Sequence, residues 1–408
     1  MKRYETYKDS GIQWWEEIPT HWDLKKAKHI FSLVTENVSD SSLPKIALEN
    51  IESWTGKYIE TDSDFMGEGV EFKKDDILFG KLRPYLAKVY KAEFAGQAVG
   101  DIYVFRGNEE QNPEYLKYLL LSYPFISVVD GSTYGAKMPR ANWDFISHLV
   151  LPCPPKTEQV TIAAFLDRKV SQIDATIAEK EQMLEDLKAY RSAIISEAVT
   201  KGLDRNVEIR DSGIDKFPMI RSNWNTSKLK YIASIRSGSA LSINNIKKDA
   251  LYEVYGGNGC MGRADEYNTE SPAIIIGRVG ALCGNVHLIK TKKWVTDNAL
   301  ILNIKRDVTY EYLYYYLTAY DLNTLNSSNA QPLITGTKVL DVVTPMPSLN
   351  EQIMIANYLD DKTSMIDETI DQITVQIVEL KSYKSSLITE AVTGKIDLCE
   401  WKPKEENV

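Results

Sequence analysis

The sequence contains few of the residues that commonly hold metals or form disulfides. Its cysteines are Cys153, Cys260, Cys283 and Cys399, which form no C-x-x-C pair, and its four histidines are scattered. This distribution argues against a zinc site or a disulfide framework and fits a reducing cytoplasm. No run of about 18 apolar residues is present, and the N-terminus lacks the apolar stretch of a signal peptide. We therefore expect a cytoplasmic protein without a membrane partner.

Known catalytic motifs are also missing. The sequence has no H-E-x-x-H, no phosphate-binding P-loop, no nucleophile elbow and no paired nuclease-type acids. Gly257–Gly262 matches G-x-G-x-x-G, but no apolar helical stripe follows it. Since a dinucleotide site needs a helix that opens at the third glycine, we interpret this segment as a tight turn that exposes Asn258. The chain is predicted to be non-catalytic, and we expect it to bind no metal or cofactor itself.

The net charge of −9 is unfavourable for a protein that contacts phosphates. However, acidic residues outnumber basic ones strongly in residues 346–400, whereas basic residues outnumber acidic ones in residues 220–345. The distribution of charge is more informative than its sum. The charge therefore weakens an interpretation as a nucleic-acid-binding protein without excluding it.

What the sequence does contain is an internal duplication. Asp9-Ser10-Gly11-Ile12, followed by Trp22, recurs as Asp211-Ser212-Gly213-Ile214, followed by Trp224. A period of about 200 residues is too long for a solenoid, so a whole domain has been duplicated. The segments between the repeats resemble each other only weakly. This pattern indicates one scaffold that presents two different recognition surfaces.

The repeated segments that begin at Glu158-Gln159 and at Glu351-Gln352 each predict a long amphipathic helix. Apolar residues recur there at alternating steps of three and four for more than four heptads, with charged and polar residues between them. Prolines precede each segment and a glycine ends it, as is typical of helix boundaries. If the duplication is a pseudo-twofold, the two helices run antiparallel and form a coiled coil. The alternative is that each helix packs only on its own globular domain.

The predicted fold class is α+β, with two mixed α/β domains related by pseudo-twofold symmetry and joined by the two helices. A helix is predicted in each domain, at 113–121 and at 310–318, together with several short strands. The predicted strands include Ile77–Phe79, Lys88–Tyr90, Ala273–Ile276 and Leu300–Leu302. The predicted divisions are an arm at 1–21, a first domain at 22–153, a spacer helix at 154–205, an arm and second domain at 206–344, a spacer helix at 345–400 and a tail at 401–408.

Polar and basic loops in both domains could read DNA. Arginine and lysine can contact phosphates and guanine, whereas asparagine and glutamine can pair with adenine. The candidate DNA-binding residues of the first domain are Lys81, Arg83, Tyr134, Lys137 and Arg140. Those of the second domain are Asn258, Arg278, Asn329, Gln331 and Lys338. A solvated hairpin is the alternative for residues 80–88, and small polar loops are common in proteins of every class.

In their order and duplication, these segments resemble the specificity subunit of a Type I restriction–modification enzyme. The resemblance covers nearly the full chain and is strongest where the two helices begin, at Pro154–Gln159 and Pro347–Gln352. The two arms are also similar to the family's patterns. Further similar segments are Ile77–Val89, Tyr255–Gly262, Ile276–Gly280 and Trp294–Leu300.

This resemblance implies two target recognition domains, each of which reads one half of a split sequence in double-stranded DNA. The helices would set the gap between the half-sites and carry two methyltransferase (modification) subunits. S-adenosylmethionine, ATP and Mg²⁺ would be used only by partner subunits, and added restriction (translocase) subunits would cleave DNA. Four apolar residues on the outer positions of the helices are expected to be covered by a partner, namely Ile162, Phe165, Ile195 and Val199.

Two other classes of function stay open at the level of sequence. A coiled-coil scaffold that joins two protein-binding domains, without DNA readout, fits the acidic balance but leaves the Asn, Gln and Arg loops unexplained. An enzyme with a fused DNA reader is opposed by the missing catalytic motifs.

Overall fold

Two long helices lie where the repeated segments of the sequence predict them. They span Lys156–Lys201 and Leu349–Val392 in the computed structural model, which describes residues 2–37, 42–61, 69–133, 137–204, 206–280, 282–326 and 332–402. Within these ranges, no helix is long and apolar enough to cross a membrane.

Each long helix contributes to both of the units into which the chain divides. One unit contains Met1–Lys180 and Val375–Val408, and the other contains Glu181–Thr374. Each unit therefore holds one mixed α/β domain, the first part of that domain's own helix and the last part of the other helix. The division between units falls inside the helices rather than at the divisions that the sequence repeat suggests.

The first unit is built around an antiparallel sheet of four strands. Its strands are β1 Tyr7–Asp9, β2 Glu17–Pro19, β3 Asp23–Lys26, β4 Phe31–Val34, β5 Lys45–Ile46, β6 Val70–Phe72, β7 Ile77–Gly80, β8 Val89–Lys91, β9 Gly96–Ala98, β10 Ile102–Gly107 and β11 Val150–Cys153. Its helices are α1 Pro113–Leu121, α2 Tyr123–Gly131, α3 Trp143–His148 and part of α4 Lys156–Lys201. The main sheet has the order β4-β10-β7-β8, and β5-β9-β6 form a smaller sheet.

The second unit repeats the main sheet but not the smaller one. Its strands are β12 Ile209–Asp211, β13 Met219–Arg221, β14 Asn225–Lys228, β15 Ala233–Ser237, β16 Tyr252–Gly256, β17 Gly259–Ala264, β18 Ala273–Gly277, β19 Val286–Ile289, β20 Trp294–Val295, β21 Ala299–Ile304 and β22 Val343–Met346. Its helices are α5 Leu229–Ile232, α6 Tyr310–Tyr320, α7 Gly336–Leu340 and part of α8 Leu349–Val392. The order β15-β21-β18-β19 matches the first unit, whereas the smaller sheet is β17-β16-β20. The mixed α and β composition and the predicted strands and helices are confirmed.

The glutamine at the start of each long helix ties the helix to its domain. The side chain of Gln159 accepts a hydrogen bond from the backbone N–H of Asn112 (2.8 Å) and donates to a carbonyl just before the helix (2.9 Å). Gln352 makes the same pair of bonds, with the N–H of Thr309 as its donor (2.8 Å). Both glutamines are buried, where an unsatisfied amide would cost about 1–3 kcal/mol. The repeated Glu-Gln motif therefore has the same structural task in both copies.

The end of the other long helix packs on the same domain. In the first unit, the hydroxyl of Tyr115 donates to the carbonyl of Val392 (3.4 Å), near the end of α8. In the second unit, the hydroxyl of Tyr312 donates to the carbonyl of Val199 (3.2 Å), near the end of α4. Each domain thus holds the start of its own helix and the end of the other.

Side-chain contacts give the direction of the helices within the first unit. Lys180 of α4 donates to Gln376 of α8 (2.7 Å), whereas Asp174, earlier in α4, accepts from Lys384, later in α8 (2.8 Å). The contact positions therefore advance along one helix as they retreat along the other. The predicted antiparallel arrangement is confirmed for the helix segments of this unit.

Asp174→Ala is expected to destabilise the chain by roughly 3–5 kcal/mol, because it leaves a buried lysine without its counter-charge. The side chains of Lys384 and Asp174 are only 10% and 14% exposed. The equivalent pair in the second unit, Arg191 and Asp367, is 26% and 50% exposed, so the control Asp367→Ala should cost below about 1 kcal/mol. Denaturant unfolding at pH 7 measures both, and equal losses would contradict this account.

The contribution of Asp174 should also depend on pH. Burial alone would raise the pKa of Asp174, but the hydrogen bonds and charges of Lys384 and Lys57 outweigh burial and lower it. A carboxyl group with a lowered pKa in the folded state adds stability above its unfolded pKa of about 3.9 and loses it as pH falls through the folded value. The free energy of unfolding of wild type should therefore exceed that of Asp174→Ala by the full amount near pH 7, and this excess should shrink below about pH 4.

Four apolar residues that the sequence assigned to a partner surface are buried in the chain itself. Ile162, Phe165, Ile195 and Val199 are at most 3% exposed. Ile195 and Val199 belong to the hydrophobic core of the second unit, and the ring of Phe165 lies edge-on to Trp401, with 5.5 Å between centroids. The prediction that a partner covers these residues is wrong, because the chain's own domains and tail cover them.

Candidate nucleic-acid interface

The loops that carry most candidate residues of the first domain meet at one edge of its main sheet. The loop after β7 lies against the loop before α3. The backbone N–H of Arg83 donates to the carbonyl of Pro139, and the N–H of Ala141 donates to the carbonyl of Lys81, both at 2.8 Å. The structure therefore brings together two segments that are far apart in sequence: Lys81 and Arg83 lie beside residues 137–140.

The same loop contacts recur in the second unit with different side chains. The N–H of Gly280 donates to the carbonyl of Pro332 (3.2 Å), and the N–H of Ile334 donates to the carbonyl of Arg278 (2.9 Å). Arg278 thus takes the place that Lys81 has in the first unit. The duplicated frame holds both loop pairs alike, whereas the side chains that they carry differ.

An acidic residue that the sequence reasoning missed lies between the cations of the first unit. Asp101 accepts from Nε and Nη2 of Arg140 (3.0 and 2.9 Å), and its carboxylate lies 3.9 Å from Nζ of Lys81. The hydrogen bonds and charge of Arg140 lower the pKa of Asp101. Two candidate cations are therefore partly neutralised, and Arg140 is held in one orientation.

Two other cations of this surface keep their charge available. Arg83 and Lys137 are exposed, and none of the described residues forms a hydrogen bond or ion pair with either side chain. Arg83 also has a left-handed backbone, with φ of 52°, directly before Pro84. These two cations could therefore contact an anion directly.

The remaining candidates of the loops are less well placed or cannot be placed. Tyr134, Asn329 and Gln331 lie outside the described residues. Lys338 lies in α7 and is exposed, but its ammonium group donates to the carbonyl of Leu325 (2.8 Å). Its charge is therefore held by the backbone of a neighbouring segment.

The G-x-G-x-x-G segment of the second domain forms a hairpin, as the sequence predicts. β16 and β17 pair through Gly256 and Gly259, so Gly257 and the exposed Asn258 form the turn. A Cβ atom on Gly277, at the end of β18, would lie 2.1 Å from the carbonyl oxygen of Gly257. The turn rests directly on the strand end, which requires a glycine there.

Arg278 lies across three strand ends beside this turn. Its backbone N–H donates to the carbonyl of Asn298 (3.0 Å), before β21, and its Nη1 donates to Oγ of Ser237 (3.3 Å), at the end of β15. In the first unit the N–H of Lys81 donates in the same way to the carbonyl of Asp101 (2.9 Å). The second unit therefore has a neutral amide where the first unit has a carboxylate.

The family model of the Type I restriction modification DNA specificity domain matches two ranges of this chain, residues 29–186 and 221–379. Together these ranges cover more than half of the sequence and include both loop pairs. Each range also contains the first part of a long helix, so the match follows the duplication.

Two curated relatives align with less than half of their own length. The EcoprrI specificity subunit of a Type I restriction enzyme from Escherichia coli is 31% identical over 172 residues, which are 41% of each protein. The EcoDI specificity subunit from Escherichia coli is 25% identical over 197 residues, which are 44% of each. A chain in a structure of the type I R-M system, solved to explain complex assembly and conformational transition, has a TM-score of 0.76. The structural match covers 93% of this chain and 99% of that chain at 16% sequence identity, which shows a shared fold.

Proposed function

Because the chain belongs to the family of the Type I restriction modification DNA specificity domain, we propose that it reads a split DNA sequence, one half-site with each domain. The observation that carries this proposal is the loop pair that recurs in both units on the same backbone contacts with different side chains. Two half-sites of different sequence require different side chains, and the repeated loop contacts hold such side chains in equivalent positions in the two domains. The half-site of the first domain is called the first half-site, and the other the second half-site.

The two surfaces offer different chemistry to DNA. In the first domain, Arg83 and Lys137 are available for phosphates, which supply most of the affinity of protein–DNA complexes. In the second domain, Asn258 and Arg278 lie on either side of the point where the hairpin turn rests on the strand end, and both side-chain types can pair with base edges. Tyr134, Asn329, Gln331 and Lys338 stay as further candidates from the sequence.

The chain is proposed to be non-catalytic and to work in the cytoplasm with partner subunits. Two methyltransferase subunits would use S-adenosylmethionine, and restriction subunits would add ATP- and Mg²⁺-dependent cleavage. Support comes from the two Escherichia coli relatives, which are specificity subunits. In place of the buried residues, we assign partner contacts to Val160 and Ile353, which have equivalent positions in the two helices and are both 48% exposed.

Mapping of methyladenine over a whole genome tests this function. The chain is co-expressed with a Type I methyltransferase subunit from the same source, and the methylated sequences are read. We expect a split motif that is absent without the chain. An unchanged pattern of methylation would contradict the proposal and favour a scaffold without DNA readout.

Arg83→Gln is expected to weaken DNA binding equally for all sequences, because we assign Arg83 to a phosphate: none of the described residues fixes the plane of its exposed guanidinium, as a base contact requires. Loss of one phosphate contact lowers the slope of log affinity against log salt by about 1. The control is Arg306→Gln in the second domain. Arg306 is an exposed cation that follows β21, at the end of the strand away from the recognition loops, so its loss should leave the slope unchanged. Fluorescence anisotropy over a range of salt measures both; a changed methylation motif in Arg83→Gln would contradict the assignment to phosphate.

A further inference from the structure

One arginine of the second domain has an unused hydrogen-bonding edge. Nη1 of Arg278 donates to the hydroxyl of Ser237, but Nε is shielded from solvent and has no acceptor. No hydrogen bond joins Nη2 to the described residues either. A buried donor without an acceptor is unfavourable, because it has lost its hydrogen bond to water and gained none in return. The edge formed by Nε and Nη2 is therefore without an acceptor among the described residues.

Other arginines of this chain use the same edge for one of its own carboxylates. In each case Nε and Nη2 donate to the two oxygens of an aspartate, at 2.6–3.1 Å. These pairs are Arg106 with Asp76, Arg140 with Asp101, and Arg191 with Asp367. The comparison shows which ligand geometry fits this edge: two acceptor atoms side by side.

The missing acceptor follows from a difference between the repeats. Asn298 stands where the first unit has Asp101, so the residue that holds the backbone of Arg278 brings no negative charge. Exposed Asn258, on the turn beside it, is also neutral. A half-buried guanidinium is thus left without a counter-charge among the described residues, and its only side-chain bond is to a hydroxyl.

Guanine offers two adjacent acceptors, N7 and O6, in the major groove, and a phosphate offers two oxygens. Resting on the proposed function, we propose that Arg278 reads a guanine of the second half-site through Nε and Nη2. Ser237 holds Nη1 at the strand ends and limits the plane of the guanidinium, which a base contact needs and a phosphate contact does not. Nε is shielded in the free chain, so the proposal includes a rotation of the side chain, with Nη1 kept on Ser237, that exposes Nε to the base.

The test compares methylation motifs of wild type, Arg278→Gln and Arg278→Lys, each co-expressed with the methyltransferase subunit. Arg278→Gln should leave the first half-site unchanged and make one guanine of the second half-site degenerate. Loss of a bidentate contact of about 1–3 kcal/mol corresponds to discrimination that falls roughly 5- to 150-fold. Arg278→Lys should retain part of the preference, because lysine can donate to the same atoms without a planar fork.

Arg191→Gln is the matched control, because Asp367 already occupies the same edge of that arginine and the residue lies in α4, outside the recognition loops. It should leave the identity of every base in the motif unchanged.

An unchanged motif in Arg278→Gln overturns the proposal, and a uniform loss of affinity with a shallower salt dependence then identifies a phosphate contact. If Arg278→Gln directs no methylation, binding to duplexes with single substitutions decides: lost guanine discrimination supports the proposal, and uniform loss overturns it. If wild type itself directs no split motif, the proposed function fails, and this inference with it.

Discussion

Gly277→Ala is expected to remove recognition of the second half-site while recognition of the first half-site persists. The added Cβ atom would lie 2.1 Å from the carbonyl oxygen of Gly257. Since the contact is with backbone, the hairpin turn has to move off the strand end, and Asn258 and Arg278 lose their common position. Overpacking of this kind costs roughly 1–3 kcal/mol, and a loss of this size in binding lowers the affinity for the second half-site roughly 5- to 150-fold.

The repeat supplies a matched control for this change. Gly80 ends β7 as Gly277 ends β18, but the atom nearest to a Cβ there is the flexible Cδ2 of Leu48 at 2.8 Å, followed by Cβ of Lys88 at 3.1 Å, and the carbonyl oxygen of Lys88 is 3.4 Å away. Side chains yield more easily, so Gly80→Ala should weaken the first half-site less. Gly131→Ala places its Cβ atom more than 4 Å from every described residue outside its own helix and chain neighbours, so it should change neither half-site. Binding to duplexes with one randomised half-site measures all three, and an equal loss at both half-sites in Gly277→Ala would contradict the assignment.

Trp22→Ala is expected to cause a large loss of stability in the first unit. Trp22 is 0% exposed, and its Nε1 donates to Oε2 of Glu158 (2.9 Å) at the start of α4. A Cβ atom on Gly394, just after α8, would lie 3.1 Å from the indole ring. The indole therefore packs between the start of one long helix and the end of the other. Its removal should cost about 3–5 kcal/mol, equivalent to a fall of roughly 10 °C in Tm.

Two further variants separate the causes of this loss. Trp22→Phe keeps an aromatic ring and removes the bond to Glu158, so it should cost about 1–2 kcal/mol less than the alanine change. Trp14→Ala removes a half-buried indole that lies tilted against the ring of Trp15 and should cost much less. Calorimetry measures the three variants, and a Trp22→Ala transition no lower than that of Trp14→Ala would show that Trp22 does not hold the helices.

Local patterns predicted those parts of the fold that depend on neighbouring residues. The helix predicted at 113–121 is α1, Pro113–Leu121, because the proline, the cap and the apolar spacing all lie within that segment. The turn at Asn258 was predicted for the same reason: glycine spacing restricts the backbone locally. The duplication predicted that the helix segments are antiparallel, because the order of the parts along the chain fixes it.

Contacts between distant segments could not be predicted in this way. Helical periodicity shows that Phe165 lies on an apolar face that has to be buried, but it does not show that Trp401, from the tail, packs against it. Asp101 was missed because only cations and amides were sought, and because the pairing of β7 with β10 is what brings it beside Lys81. Its one signal is positional: it directly precedes a strand that pairs with the strand ending at Gly80.

Exchange of residues 22–153 for the corresponding domain of another family member tests the central claim most directly. The incoming domain should keep the equivalents of Trp22 and Asn112, whose contacts with Glu158 and Gln159 hold the domain on its helix. Methyladenine mapping of the exchanged chain should then show a new first half-site, with the second half-site and the gap unchanged. A motif in which both half-sites change, or in which neither does, would contradict the account of one duplicated frame that holds two independent readers.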